Sequence, residues 1–156
     1  MSDVCLRKEL GDFSSIICLK ALVVGLEEVM GVQGARANLI LAGRIRGQTI
    51  AKNLGLSNTD KPMAVWSAMV REAIGKNGTR LCDVVKVEEE GDILRVFLSE
   101  TVCSAGEAPG SPRLLTFTQG AIHGALEEIT GKKFIGVQTG SVLRGQEYDI
   151  IDFRER

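Results

Sequence analysis

The chain has 156 residues, with 19 Lys and Arg against 20 Asp and Glu, for a formal net charge of −1. Apolar residues make up 44% and charged residues 25%, the balance of one ordinary globular domain, which excludes a disordered or low-complexity chain. So even a charge supplies no overall pull toward nucleic acid or anionic lipid, and only a local patch could.

The longest apolar stretch, Ile16 to Leu26, is interrupted by Lys20 and is far shorter than the roughly 20 residues of a membrane span. It does not read as a signal peptide, because acidic Asp3, Glu9 and Asp12 precede it where a basic region should stand. The expected location is therefore the cytoplasm. Cys5, Cys18, Cys82 and Cys103 fit that placing, scattered as they are without a CxxC pair. Cys18 and Cys82 read as buried thiols acting as small hydrophobes, and Cys103 stands beside a loop.

In chain order, Phe13, Ile16, Ile17, Leu19, Leu22, Val23, Leu26, Val29 and Met30 predict a helix from Phe13 to Met30, buried on two sides and stopped by Gly31. A second helix is expected from Gly34 to Leu54. It carries a row at i+4 spacing, Leu39, Gly43, Gly47 and Ala51, preceded by Ala35. Small residues repeated in this way let another backbone come close, either in a dimer seam or in tight packing within the chain. After the turn cluster and helix start Ser57 to Pro62, a third helix is expected from Pro62 to Lys76, with Met63, Val65, Trp66, Met69, Val70, Ala73 and Ile74.

The period then changes. Leu81 to Glu88 and Ile93 to Leu98 read as two strands around the turn Glu89-Glu90-Gly91-Asp92. Ser104 to Arg113, with two Gly and two Pro, is a loop long enough to be a lid or binding loop. Leu114 to Thr130 predicts a fourth helix closed by Gly131, with Phe117, Ala121, Ile122, Ala125, Leu126 and Ile129 on its apolar face. Lys133 to Gly140 and Glu147 to Phe153 read as a second hairpin. The order is three N-terminal helices, then ββ-α-ββ. Short strand connections imply antiparallel pairing, so the expected class is α+β, a single domain over 1–156 with an antiparallel sheet packed on helices.

Few motifs carry chemistry. Gly75-Lys76-Asn77-Gly78-Thr79 lacks the order of a phosphate-binding loop and stands before a strand. His123, with Gln119 at i−4 and Glu127 at i+4, reads as a solvated or ion-paired histidine on the polar side of its helix. Its sharper reading is an axial ligand to a haem or chlorin metal. No spacing gathers four zinc ligands. Arg36, Arg44 and Arg46 form a modest basic group read as a solvated face, since no aromatic residues are interleaved for RNA.

The run Leu115 to Lys133, LTFTQGAIHGALEEITGKK, followed by Gly140 to Phe153, resembles the C-terminal signature of the 4-vinyl-reductase domain family. These are small hydrocarbon- or tetrapyrrole-associated domains related in fold to subunits of the TRAPP tethering complex. Gly43-Arg44-Ile45-Arg46-Gly47 matches the family's early Gly-Arg-x-x-Gly helix. The wording of 103–110 and 141–145 is similar to a cyanobacterial branch encoded among photosystem-assembly genes. The resemblance implies a homodimer, photosystem or pigment-assembly partners, and a place in the cytoplasm or at the thylakoid surface. Positions that hold a metal in other members fall here on Leu115, Gln138, Ser141 and Asp149, so zinc is not expected.

A reductase needs a hydride source, and no dinucleotide or flavin fingerprint is present. No catalytic residue is assigned. The leading expectation is a non-enzymatic carrier or sensor for a hydrophobic small molecule, such as a tetrapyrrole or its precursor. Its alternatives are a dimeric interaction scaffold without ligand and, last, a vinyl reductase. Ala121, Ala125 and Gly136 would leave room between helix and sheet, walled by Trp66, Phe97, Phe117 and Phe134. Each of these residues also suits an ordinary core.

Overall fold

The computed structural model describes residues 15–156. Cys5, Phe13 and the acidic residues Asp3, Glu9 and Asp12 lie outside the described residues. The elements are α1 (Ile16–Asn53), α2 (Met63–Ile74), β1 (Asp83–Glu90), β2 (Ile93–Ser99), α3 (Thr116–Thr130), β3 (Phe134–Gly140), a 3-10 turn (Val142–Arg144) and β4 (Asp149–Glu155). The α+β class and the order of helices and strands agree with the sequence.

Ser15 caps α1 by accepting from the Cys18 N–H at 3.4 Å. At Gly31 the chain takes φ 73° and ψ 155°, and the helix breaks there. The second arm resumes at once, so the two early helices follow each other without a loop. That arm lies on α3, and glycines on both sides bring the two backbones together. A Cβ at Gly43 would stand 2.1 Å from the carbonyl oxygen of Phe117, and one at Gly47 1.9 Å from that of Ala121. From the other side, a Cβ at Gly120 or Gly124 would meet the carbonyl oxygens of Ile40 and Arg44 at 2.1 and 2.0 Å. Leu39, Gly43, Gly47 and Ala51 are all buried. This row is therefore occupied within the chain, and it is not a surface on which a second copy can dock.

The strands form one antiparallel sheet in the order β1-β2-β4-β3. Each hairpin pairs internally, and β2 joins β4 through pairs such as Val96↔Ile151 and Leu94↔Phe153. Gly91, at φ 63°, makes the tight turn between β1 and β2. Val96, Leu98, Ile151 and Phe153 point to the buried face and are at most 1% exposed. On that face lie α2, packed over β1, and α3, and the second arm of α1 covers α3. Gly131 ends α3 in the left-handed conformation, as the sequence indicates.

The first arm of α1 departs from its predicted burial on two sides. Val23 is buried, but Ile17 and Val29 are 83% and 86% exposed, and Leu22 and Met30 are exposed as well. Cys18 is exposed instead of buried, whereas Cys82 and Cys103 are buried. The arm touches the body along one side only. Lys20 donates to the Cys103 carbonyl and to Glu107 at 2.6 and 2.7 Å. Glu27 pairs with Arg113, and Val23 packs with Leu39 beside Phe117.

Candidate functional site

Between α2, α3 and the inner face of β1 and β2 lies an apolar cavity of about 20 Å³. α2 places Trp66 and Val70 there at i and i+4. α3 contributes Ile122, Ala125, Leu126 and Ile129, and the strands contribute Val84, Val87 and Val96. Ser67 supplies the one side-chain hydroxyl of the lining. In volume the cavity holds one small group, and a site with so few polar partners does not hold water.

Trp66 and Ala125 are the two expected ligand residues found in this lining. Phe97 stands on the far face of the sheet, edge-to-face with Tyr148 at 6.0 Å between ring centroids and with the Lys86 ammonium 4.2 Å from its own. It therefore cannot face a pocket between helix and sheet. Phe117 packs at the junction of α1 and α3. The carbonyl of Ala121 faces Gly47 at the α1–α3 contact, and Gly136 makes room for the Phe153 ring. Phe134 belongs to the main core. The valines of β1 and β2 and the isoleucines of α3 escape sequence reasoning because a cavity wall and a solid core use the same residues at the same period.

The second group of interest is a polar stripe on α3. Gln119, His123 and Glu127, spaced by four residues, are all buried. Of the two readings of His123, the solvated one is thus corrected, and the paired one agrees with the 3.4 Å between its Nε2 and a Glu127 oxygen. Because α3 lies between α1 and the sheet, its polar side faces the open edge of β3 instead of solvent. Gln119 Nε2 donates to the Gly136 carbonyl at 2.9 Å. His123 Nε2 lies 3.0 Å from the Phe134 carbonyl. A carbonyl only accepts, so Nε2 carries the proton. Glu127 accepts from the Phe134 N–H at 3.4 Å and from Arg44 Nε at 2.9 Å. Side chains of a helix thus stand in for a fifth strand and satisfy an edge that would otherwise be left unpaired.

Burial holds the His123 imidazole below its ordinary pKa, outweighing the upward pull of Glu127, and Arg44 adds to the depression. Burial alone would raise Glu127. The hydrogen bonds from Arg44 and the Phe134 N–H, with the charges of Arg44 and His123, hold it below its ordinary value instead. Unfolding therefore takes up protons at both groups. Stability should be fully present above about pH 6.5, the unfolded imidazole value. It should fall as the pH drops through the window below that value, and fall further under about pH 4.3 as Glu127 follows. Urea midpoints measured from pH 8 to 5 check this. A His123→Gln variant should flatten the upper part of the profile, and an unchanged slope would contradict the assignment.

The positions that the family resemblance marks as metal-holding carry hydrogen bonds instead. Gln138 accepts from the Leu115 N–H at 3.0 Å. Asp149, fully buried, accepts from Thr101, Ser104 and the Val142 N–H at 2.7, 2.9 and 3.0 Å. Ser141 accepts from the Leu143 N–H at 3.3 Å. Among the described residues no group of three or more His, Cys, Asp or Glu is placed to hold a metal. No helix among them is long and apolar enough to cross a membrane.

This architecture, a four-stranded antiparallel sheet with helices packed on one face and the long first helix outermost, is that of a TRAPP-like fold. The structure is similar to the crystal structure of the phenol-responsive sensory domain of the transcription activator PoxR with phenol, at a TM-score of 0.67 and 14% identity over 92% of this chain and 75% of that one. It is also similar to a trafficking protein particle complex subunit 3 from Naegleria fowleri covalently bound to palmitic acid, at a TM-score of 0.54 and 16% identity over 91% and 97% of the two chains. At these identities the likeness is one of fold. No protein-family model matches the chain, the 4-vinyl-reductase family included, and no curated protein matches it in sequence.

Proposed function

We propose that this chain is a non-enzymatic sensor or carrier domain that binds a small apolar molecule between α2, α3 and the sheet. The observation that carries this reading is the cavity lining, which is apolar apart from the Ser67 hydroxyl and the Trp66 indole N–H. Such a lining offers a guest burial and few hydrogen bonds, and so selects for uncharged apolar bodies. Two proteins of the same fold, solved with phenol and with palmitic acid, support it. At about 20 Å³ the cavity must open to admit a ring. α2 is the wall able to move, since it meets β1 but touches α1 only lightly and its first turn lacks a side-chain cap.

The sequence resemblance extends the ligand range to a tetrapyrrole or its precursor, and the setting to photosystem or pigment-complex assembly at the thylakoid. A macrocycle is many times larger than this cavity, so the geometry favours a single-ring guest within that range. Toluene and phenol are suitable probes. Near saturation a bound guest adds about 2.7 kcal/mol at a hundred times Kd, which is a rise in Tm of roughly 5–10 °C for a chain of this size. Ala125→Leu, which more than fills the cavity, should abolish that rise, and its unliganded Tm should fall with the strain of overpacking, about 1–3 kcal/mol. No rise with either probe in the parent chain overturns the receptor reading.

A second reading, a dimeric scaffold without ligand, is favoured by the surface of α1. Ile17, Leu22, Val29, Val32, Leu41 and Ile45 are large, apolar and exposed along both arms. A homodimer seated on these residues, not on the glycine row, is compatible with either reading.

A further inference from the structure

A second cleft opens on another face of α3, between the second arm of α1 and the free edge of β3, with a volume of about 270 Å³. Its lining concentrates charge. Arg36 and Arg44 come from α1, and Lys133 and Arg156 from the adjoining start of β3 and end of β4, against one side-chain carboxylate, that of Glu127. In a chain of net charge −1 this is a local surplus of three positive charges.

Glu127 does not serve as partner to all four. Arg44 holds it through Nε at 2.9 Å and through a second nitrogen. The Phe134 N–H takes its other oxygen, and Lys133 Nζ lies 3.7 Å away. Arg71, Arg95, Arg113 and Arg154 each sit on a carboxylate elsewhere in the chain. Arg36 and Arg156 make no ion pair among the described residues, and both are exposed. The floor also lacks the usual repulsion of a strand edge, because the carbonyls of Phe134 and Gly136 already accept from His123 and Gln119. Ile40 and Ile135 add apolar wall on the two sides.

We infer that this groove binds a phosphate-type oxyanion, held by Arg36, Arg156 and Lys133 above the Arg44–Glu127 pair. Guanidinium forks match the geometry of such an anion and bind it in bidentate fashion. Ile40 and Ile135 accept an organic body attached to it. The anion can arrive as a free phosphate or as the headgroup of a lipid, since both present the same oxygens. The site is separate from the apolar cavity and stands whether or not that cavity takes a guest.

The test uses the full chain at low ionic strength in two arms, inorganic phosphate followed by backbone amide resonances, and sedimentation with phosphatidylcholine vesicles containing phosphatidylglycerol. Phosphate should shift the amides of Ile40, Phe134 and Ile135. The Arg36→Ala/Lys133→Ala double variant, altered only at exposed positions, should weaken binding at least tenfold with an unchanged far-UV spectrum. Saturable phosphate binding assigns a free oxyanion, and vesicle binding lost in the variant assigns a headgroup. Binding in neither arm, equal competition by chloride, or full binding by the double variant would overturn the proposal.

Discussion

Gly47→Ala should destabilise the protein by about 3 kcal/mol or more, lowering Tm by roughly 6–12 °C. The new methyl carbon would stand 1.9 Å from the carbonyl oxygen of Ala121 and 2.7 Å from the nitrogen of Ala125. Both are backbone atoms, and no rotamer change removes them. The second arm of α1 must lift off α3, and the same motion loosens Gly43, Gly120 and Gly124, which share the contact. A stability of about 5–15 kcal/mol is the ordinary total for a domain, so one methyl group removes a large part of it. Gly25→Ala is the matched control. It lies in the other arm with nothing within 4 Å of its added carbon, and removing a helical glycine there should stabilise the protein by up to about 1 kcal/mol. Urea denaturation of the two variants checks this directly. Equal effects would mean that the close approach of the helices contributes little.

Asp149→Ala should cost about 3–5 kcal/mol. The carboxylate is fully buried and accepts from two hydroxyls and one backbone N–H. It ties the start of the 101–115 loop to the 3-10 turn before β4. Alanine leaves the Thr101 hydroxyl buried and unmatched and takes the acceptor from the part-buried Ser104 hydroxyl and Val142 N–H, and a buried unmatched donor costs about 1–3 kcal/mol. Asp149→Asn should recover more than half of the loss. Its carbonyl can still take the Val142 N–H, while its amide donates to the hydroxyl oxygens of Thr101 and Ser104. Chemical denaturation of both variants decides the point. If Asn were as damaging as Ala, the negative charge of Asp149 would matter more than its hydrogen bonds.

Several features of this fold are legible in the sequence because a single residue type enforces them. Gly131 ends α3, Gly91 makes the β1–β2 turn, and Gly31 breaks α1, each at positive φ. The glycine row at 43 and 47 announces a close helix approach, though not its partner. The four-residue spacing of Gly120 and Gly124 on α3 is the matching signal. What the sequence hides depends on which faces meet. Ile17, Leu22 and Val29 have the period of a buried helix, yet the arm that carries them rests on the body along one side only. Gln119, His123 and Glu127 have the period of a solvated stripe, yet they close a strand edge, because a carbonyl edge and water ask for the same donors and acceptors. The far-side position of Phe97 follows from strand parity once β2 is paired with β4. That parity is legible in the sequence, since Leu94, Val96 and Leu98 alternate along β2 and leave Phe97 on the opposite face.

The measurement closest to the central claim is methyl NMR of the full chain with toluene. The receptor account predicts contacts between the ring protons and the methyl groups of Val87, Val96, Ile122 and Leu126, with shifts that vanish in Ala125→Leu. Contacts confined to the exposed methyl groups of α1, or none at all, would contradict it.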